Sequence, residues 1–513
     1  MRSTLLQQPS TLKVQSFVGQ PKGRHSLHPQ ARPSRLQVVV TELPLPEGNL
    51  GLPLIGETLQ LLSQGDTFGE QRSAKHGDMW KTNILGSPTV MVFGAAECRK
   101  LLKEEGHLVE VLWPDVTAEL VGKESVNLLK GEEHLRIKRV LGEAFSEESV
   151  ERLLVLLREC TWDFCDRWEE LGSFSAYDEG KLWAWSVFGS TVLGLPPSIE
   201  TGERLCGLMD TLQAGFQTAP VKLPLTPYQK AVKAREAIAD LVRQQMQAIS
   251  SSKAAPPSCL KFMMAGQQLT STQIVDNMVA TAFGNASLGP SAAKAFQHLA
   301  AAGTVKKRLA DRALRFNSRG DSPHQLDYVI AVVREVLRIT PIVPALFRRT
   351  LKDFQLGGRL IPKGWNVYIH TGASVQRYNR DTFRPERWLE QESDSSSSSA
   401  SPPARGVLAA GSGGEDAVSG RRAESEEMGA DSLLTSRQQS GCPGHSLPFG
   451  LGPRMCLGRH LVEAALALLL TKLVTSCVWQ MANPAEEWSV FPTVRPKHGL
   501  VVQSFRNTTR ARL

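Results

Sequence analysis

The chain has 513 residues, enough for two or three average domains or one large enzyme domain, and 41% of them are hydrophobic, which suffices for a sizeable core. Its net charge of +8 is partly local, because residues 1–41 contain no Asp or Glu but several Arg and Lys; this balance does not indicate a nucleic-acid partner. The eight cysteines include no Cys-x-x-Cys pair, which argues against a zinc ribbon or a thioredoxin-like site and agrees with a reducing compartment.

The N-terminal segment has the composition of a targeting sequence. Residues 1–42 are basic, contain frequent Ser and Thr, and indicate an organelle transit peptide, for a plastid in preference to a mitochondrion; an ordinary disordered tail is the alternative. We expect no transmembrane anchor, since no apolar run of about 20 residues occurs there. A stroma, a matrix or peripheral contact with a membrane surface is compatible with this composition.

The next part of the chain predicts a lead-in, two strands and a series of helices. Proline and glycine punctuate the lead-in, a Gly-Ser-Pro turn separates the strands, and apolar residues recur at three- and four-residue spacing in the helices. The predicted elements are a lead-in at 44–56, helices at 57–63 and 95–105, strands at 81–86 and 89–94, an irregular stretch at 109–129, and helices at 131–145, 149–170, 180–194, 200–215 and 226–250.

The helix predicted at 131–145 has a cationic face. His134 and Lys138 lie at i, i+4 spacing and therefore point the same way. This face is a candidate for binding an acidic group, and a solvated charged face is the alternative.

A long helix is predicted from Thr270 to about Ala302, because Ser and Thr at its start are typical caps and an apolar-periodic run follows. Its middle, residues 282–290, carries no carboxylate, and its polar side chains are Asn285 and Ser287. Pro290 is expected to end or kink the helix.

An ion-pair motif occurs further on. Glu335 and Arg338 lie at i, i+3 spacing on one helical face of the segment 328–339, and Arg387 follows within Pro-Glu-Arg-Trp. If these charges are buried, they require additional hydrogen-bond partners to offset their desolvation. Arg348 lies between the two motifs in a predicted strand, and the segments 354–360 and 366–370 are predicted to form a hairpin.

Residues 393–444 differ from the rest of the chain. A serine run and then Gly, Ala, Glu and Arg, with almost no aromatic residue, predict a disordered insertion. We therefore expect one ordered domain in two parts, 43–392 and 445–513. Cys442, at the end of the insertion, is not expected to be a ligand.

After the insertion, the stretch from Phe449 to Gly458 reads Phe-Gly-Leu-Gly-Pro-Arg-Met-Cys-Leu-Gly and runs into an apolar helix at 460–474. It places Cys456 in a glycine-rich turn, where backbone N–H groups and a helix N-terminus can stabilise a thiolate. A buried structural cysteine is the alternative interpretation. Residues 491–500 and 501–505 are predicted to form a closing hairpin.

The pattern Phe-x-x-Gly-x-Arg-x-Cys-x-Gly, preceded by Glu-x-x-Arg and Pro-Glu-Arg-Trp in this order, resembles the cytochrome P450 family from about residue 43 to 505. The resemblance implies a mainly α fold with small β-sheets (α+β) and a haem b cofactor, iron protoporphyrin IX, ligated by Cys456. It implies that Arg454, Arg348, His134 and Lys138 hold the haem propionates and that Glu335, Arg338 and Arg387 form a structural lock. Phe449, Gly450 and Gly458 would shape the cofactor-binding turn.

The same resemblance implies a monooxygenase that oxidises a small lipophilic substrate with electrons from a separate ferredoxin or P450 reductase. His134 and Lys138, the lead-in and the segment 362–367 are most similar to the retinoid- and steroid-oxidising branch, which favours a retinoid, a carotenoid fragment or a sterol-like substrate.

The long helix departs from the family, because neither register that aligns Ser287 with the usual acid or alcohol supplies a carboxylate. Ser287 and Asn285 are candidates to hold a water in its place. The alternatives are a P450-fold isomerase or dehydratase of oxygenated lipids, or a haem-binding protein with decayed oxygen chemistry.

Overall fold

The structure, a computed structural model, describes residues 43–52, 55–252, 254–317, 327–339, 342–372, 382–389, 447–489 and 494–507. The predicted transit segment 1–42 and the predicted insertion 393–444, with Cys442, lie outside the described residues. The residues described from Leu43 onward belong to one compact unit.

Helices make up most of the described chain, as the apolar spacing predicts. Helix α8 continues as one π-helical turn at Phe188–Leu193, so the predicted helix 180–194 begins earlier and ends in a wider coil. The helices are α1 Thr58–Gln64, α2 Asp66–His76, α3 Ala95–Lys103, α4 Thr117–Leu120, α5 Gly131–Ala144, α6 Glu147–Glu151, α7 Leu154–Leu171, α8 Ala176–Val187, α9 Ile199–Gly215, α10 Pro227–Ser251, α11 Cys259–Ala265, α12 Ser271–Asn285, α13 Leu288–Ala301, α14 Gly303–Asn317, α15 Asp327–Ile339 and α16 Arg459–Ser476.

Small sheets complete the fold. The largest has the strand order β1-β2-β3-β9-β6-β4; β10-β13-β5 form a second sheet, and β11-β12 and β7-β8 are two-stranded. The strands are β1 Glu47–Gly48, β2 Met79–Ile84, β3 Ser87–Val92, β4 Val109–Val111, β5 Phe174–Ser175, β6 Ala345–Thr350, β7 Phe354–Leu356, β8 Arg359–Ile361, β9 Asn366–His370, β10 Cys477–Met481, β11 Trp488–Ser489, β12 Arg495–Pro496 and β13 Val501–Asn507. The expectation of a mainly α fold with small sheets is confirmed.

The hairpin predicted between 354–360 and 366–370 is wrong. Gly357 and Gly358 both have positive φ (+53° and +75°) and form a two-residue turn that pairs β7 with β8. Strand β9 instead lies between β3 and β6, where Val367 and Ile369 are buried. A two-residue Gly-Gly turn was a sequence signal for this shorter hairpin.

The predicted closing hairpin is also wrong, and the stretch 109–129 is not wholly irregular. Strand β13 pairs with β10 and β5, because its buried Val502 and Phe505 face the main hydrophobic core, whereas β12 pairs with β11. Within 109–129, β4 pairs with β6, and α4 is a single helical turn.

The long helix predicted from 270 to 302 is interrupted. Thr270 and Gln273 form a capping box at the start of α12, which ends at Asn285, and α13 begins at Leu288. Pro290 lies in the first turn of α13, where its missing N–H is tolerated. The expected break is present, four residues before the proline.

Helix α16 lies within the main hydrophobic core. Helix α16 is apolar around its circumference and buried from Ala464 to Leu470, as expected for a helix surrounded by other elements. Cys160 and Cys165 are small buried residues of this core, as predicted.

Candidate active site

Residues 447–458 form the turn that carries Cys456 and leads into α16. The backbone folds back on itself, because the N–H of Cys456 donates to the carbonyl of Phe449 (2.9 Å) and that of Met455 to the carbonyl of Gly452 (3.0 Å). The ring of Phe449 is partly buried against the main core. The turn is thus held by its backbone hydrogen bonds and by the packing of Phe449.

Two glycines of the turn have positive φ, Gly450 at +72° and Gly452 at +70°. A Cβ on Gly452 would lie 2.3 Å from the carbonyl oxygen of Leu102, so a protein contact alone already requires glycine at this position. Gly458 has an ordinary φ of −78°, and no protein atom would meet its Cβ within 4 Å. Its role towards a ligand therefore stays a prediction.

Cys456 is exposed as a residue, although protein atoms surround its sulfur. Of the seven cysteines that the structure describes, Cys456 alone is exposed. Burial raises the pKa of its thiol, and the backbone N–H of Gly458 and the charges of Lys138 and Arg459 oppose that rise. The expected stabilising groups are present, but in the protein alone they do not outweigh desolvation.

Arg348 and Arg454 meet at one buried carboxylate, that of Glu105. Arg348 Nε lies 2.6 Å from Glu105 Oε2, and Arg454 Nε lies 3.3 Å from Oε1. Arg454 also donates to the carbonyls of Val126 (2.8 Å) and Leu129 (2.6 Å). The two arginines predicted to bind propionates are therefore brought together on one side of the turn.

His134 and Lys138 lie beside this cluster. Lys138 Nζ donates to the carbonyls of Pro453 and Met455 and so holds the turn itself. Burial, followed by the charges of Arg454 and Lys138, lowers the pKa of His134 to about 4. In the protein alone the imidazole of His134 is therefore neutral at neutral pH, and the binding of a propionate by His134 stays a prediction.

The loop that receives Arg454 is clamped from its other side by α12. Asn277, which is fully buried, accepts from the N–H of Val126 (2.8 Å) and donates to the carbonyl of Glu124 (3.1 Å). Asp276 accepts from the N–H of Glu124 (3.0 Å). Residues 122–129 thus connect α12 with the turn that carries Cys456.

Glu335, Arg338 and Arg387 meet as the sequence indicates. Arg338 donates to both oxygens of the Glu335 carboxylate through Nε (2.8 Å) and an Nη (2.9 Å), and Arg387 Nε lies 3.2 Å from it. The Trp388 indole (3.0 Å) and the backbone N–H of Arg384 (2.8 Å) also donate to Glu335. This buried carboxylate has the additional partners that its desolvation requires.

Asn285 and Ser287 lie at the break between α12 and α13, and both already bind backbone. Asn285 donates to the carbonyl of Ala184 (3.1 Å) on α8, and the Ser287 hydroxyl donates to the carbonyl of Gly284 (3.0 Å). Asn285 therefore anchors the break to a neighbouring helix. That Asn285 and Ser287 hold a water in place of the missing acid stays a prediction.

Sequence reasoning missed Glu105, Asn277 and Arg459. Glu105 follows another glutamate in an ordinary surface-like pattern, and Arg459 stands outside the ten-residue motif. Asn277 had one available signal, since a lone amide in an apolar-periodic helix is often a buried hydrogen-bonding group. The pairings themselves depend on residues far away in the sequence.

A cavity of about 1040 Å³ lies among α4, α10 and α12, beside the loop 122–129. Arg235, Arg243, Met246 and Asp276 are among its lining residues, and none of the Cys456 turn is. In the described part of the chain no helix is long and apolar enough to cross a membrane.

Comparisons with known proteins agree on one family. The family model described as cytochrome P450 matches residues 46–403 and 433–504. The chain is 29% identical to human cytochrome P450 26C1 over 503 residues (89% of this chain, 88% of the relative) and 23% identical to abscisic acid 8'-hydroxylase 1 of Arabidopsis thaliana (90% and 91%). The solved structure of retinoic acid-bound cyanobacterial CYP120A1 superposes with a TM-score of 0.73 at 23% identity (91% and 100%).

Proposed function

Because this chain belongs to the cytochrome P450 family and is thus a haem monooxygenase, we propose that it oxidises a lipophilic isoprenoid substrate. The proposal extends to haem b as the cofactor and to a separate ferredoxin or P450 reductase as the electron donor.

One observation carries the proposal: Cys456, an exposed residue, lies in the same turn as Arg454, and Arg454 shares the carboxylate of Glu105 with Arg348. Arg348 and Arg454 together carry one more positive charge than Glu105 neutralises. A cofactor that offers carboxylates on one edge and an iron for the sulfur fits this donor set. When bound, haem supplies dioxygen activation and oxidation of an unreactive C–H bond.

The residues of this chain have separate tasks in that reaction. Cys456 ligates the iron, and the N–H of Gly458 and the charges of Lys138 and Arg459 stabilise its negative charge. Arg348 and Arg454 bind propionates, and Glu335 fixes the segment from 384 to 388 against α15. The protein thereby orients the cofactor, whose chemistry does the oxidation.

The substrate class is inferred from two relatives and one strand. Abscisic acid, named in one relative, and retinoic acid, bound in the other, are both isoprenoid carboxylic acids. Val343, Ala345 and Leu346 are candidate cavity-wall residues, and Val343 and Phe347 keep large exposed apolar areas. An apolar wall suits a lipophilic isoprenoid better than a polar metabolite.

A second candidate is an isomerase or dehydratase of oxygenated lipids that needs no external electrons. The break between α12 and α13 favours it, because residues 284–288 supply no carboxylate and Ser287 already donates to Gly284. Proton delivery to dioxygen uses a positioned acid or an equivalent water. A haem protein with decayed oxygen chemistry is the remaining alternative.

The spectrum of the purified chain tests the proposal. We expect a reduced, carbon monoxide-treated sample to show the Soret band of thiolate-ligated haem and Cys456→Ser to lose it. A matched control, Cys206→Ser, alters a buried cysteine of α9 and should keep the band. If Cys456→Ser retains the parental spectrum, the assignment is wrong.

Turnover assays separate the candidates. Product formation that requires dioxygen and a ferredoxin or P450 reductase, after a binding screen with isoprenoid acids, supports the monooxygenase. Hydroperoxide conversion without electrons supports the second candidate, and failure of both reactions supports a haem protein with decayed oxygen chemistry.

We further propose that this chain is imported into a plastid. Fusing residues 1–42 to a fluorescent protein tests this proposal, and cytosolic fluorescence would contradict it.

A further inference from the structure

Glu105 joins the two arginines that the proposed function gives to the haem propionates. Its side chain is nearly inaccessible, as is that of Arg348. The N–H of Val111 donates to Glu105 Oε1 (2.9 Å), and Val111 pairs with Arg348 in the register of β4 and β6. The carboxylate is thus tied to the strand pair that presents one arginine and contacts the other, Arg454, directly.

The contacts of Glu105 are incomplete. Oε2 of Glu105 and Nε of Arg348 lie 2.6 Å apart, yet neither atom has an aligned hydrogen bond, although both are buried. An ion pair without alignment forfeits the hydrogen-bond part of its stabilisation. Both groups therefore retain unused capacity for another partner.

The charge at this place is also unbalanced. Arg348 and Arg454 share Glu105, and the charge of Arg348 adds to burial in lowering the pKa of Arg454. The other carboxylate that acts on Arg454 is Glu110, which forms its own ion pair with Lys130 (2.8 Å). Two cations held by one carboxylate attract further negative charge.

We propose that Glu105 is an internal counter-ion that competes with the haem propionates for Arg348 and Arg454 and so weakens the hold of the chain on haem. This inference rests on the proposed function. The Nε donor of Arg454 that binds Glu105 cannot bind a propionate at the same time, and a propionate that pairs with either arginine lies beside a fixed negative charge. Removing that charge strengthens haem binding.

A purely supporting role for Glu105 predicts the opposite sign. If the carboxylate only orients the arginines, its loss leaves two buried guanidiniums misplaced, and haem binds more weakly. Haem affinity, measured without any turnover, therefore separates competition from orientation.

The experiment compares the full-length chain with Glu105→Gln and with the neighbouring Glu104→Gln as control. Haemin titration and haem transfer to excess apomyoglobin give the affinity and the dissociation rate. We expect Glu105→Gln to bind haem about tenfold more tightly or better, equivalent to about 1.4 kcal/mol, and Glu104→Gln to match the parent. Equal or weaker binding by Glu105→Gln overturns the proposal.

A second probe removes the propionate charges. With haemin dimethyl ester, which has no free carboxylates, the gain of Glu105→Gln over the parent should vanish; an equal gain overturns the competition. If Glu105→Gln does not fold, Glu105→Asp, whose shorter side chain reaches the arginines less well, should show a smaller gain, and a loss would contradict us. A parent chain that takes up no haem with a thiolate spectrum refutes the proposed function instead.

Discussion

Replacing Glu335 by glutamine should remove much of the free energy of unfolding of this chain. Glu335 is fully buried and accepts five hydrogen bonds, two from Arg338 and one each from Arg384, Arg387 and Trp388. Glutamine keeps the shape but removes the charge and turns one acceptor into a donor, which leaves the buried Arg338 uncompensated. Breaking such a pair costs about 3–5 kcal/mol, against a total stability of about 5–15 kcal/mol.

Urea unfolding followed by far-UV circular dichroism measures the effect, with haem retention as a second readout. Glu133→Gln is the matched control, because Glu133 and Arg136 have the same i, i+3 spacing and are exposed. An exposed pair contributes little, so the control should unfold with the parent. If Glu335→Gln also unfolds with the parent, the buried network does not stabilise the fold and the reasoning is refuted.

Three further predictions concern single positions. Gly452→Ala, with φ of +70° and Leu102 O at 2.3 Å, should lower the free energy of unfolding by about 1–3 kcal/mol in urea titrations, whereas Gly458→Ala should fold normally and lose only haem affinity. Asn277→Ala should cost about 1–3 kcal/mol and speed hydrogen exchange of the loop it holds; unchanged exchange would contradict the clamp. Burial lowers the pKa of His298 to about 3, so the neutral form stabilises the fold above about pH 6.5 and this contribution is lost as the pH falls towards 3. His298→Phe should flatten the plot of unfolding free energy against pH between about pH 6.5 and 3. A plot identical to that of the parent would show that His298 does not cause the loss of stability in acid.

The elements that could be predicted are those whose signals are local. The capping box of Thr270 and Gln273 and the Glu335-x-x-Arg338 spacing each lie within one helical turn, so side-chain directions on a helix settle them. Arg387 was placed by motif order, through its resemblance to a known family. The turn that carries Cys456 was predicted in the same way, and the positive φ angles of Gly450 and Gly452 agree with a tight turn.

What could not be predicted depends on partners that the sequence keeps apart. Glu105 and Arg454 are separated by 349 positions, and no pattern around residue 105 distinguishes it from Glu104. The prediction paired β9 with the wrong strand for a related reason. Strand β9 pairs with β3 and β6 because this position buries Val367 and Ile369, and no local sequence pattern shows that. The requirement for glycine at position 452 likewise comes from the carbonyl oxygen of Leu102 in α3, which is far from it in the sequence.

Two buried carboxylates, Glu335 and Glu105, each bind two arginines, and the contrast between them makes a last prediction. Both oxygens of Glu335 are saturated by aligned donors, whereas Oε2 of Glu105 has none and meets Arg348 only as a charge. Since hydrogen bonds to a desolvated charge supply much of what offsets its burial, the first cluster is closed and the second is able to exchange partners. Glu335→Gln should therefore lose more unfolding free energy than Glu105→Gln when both are measured without haem, and added haem should restore stability to the Glu105 variant alone. Equal losses, or rescue of both variants, would show that charge count rather than hydrogen-bond saturation decides which carboxylate is structural.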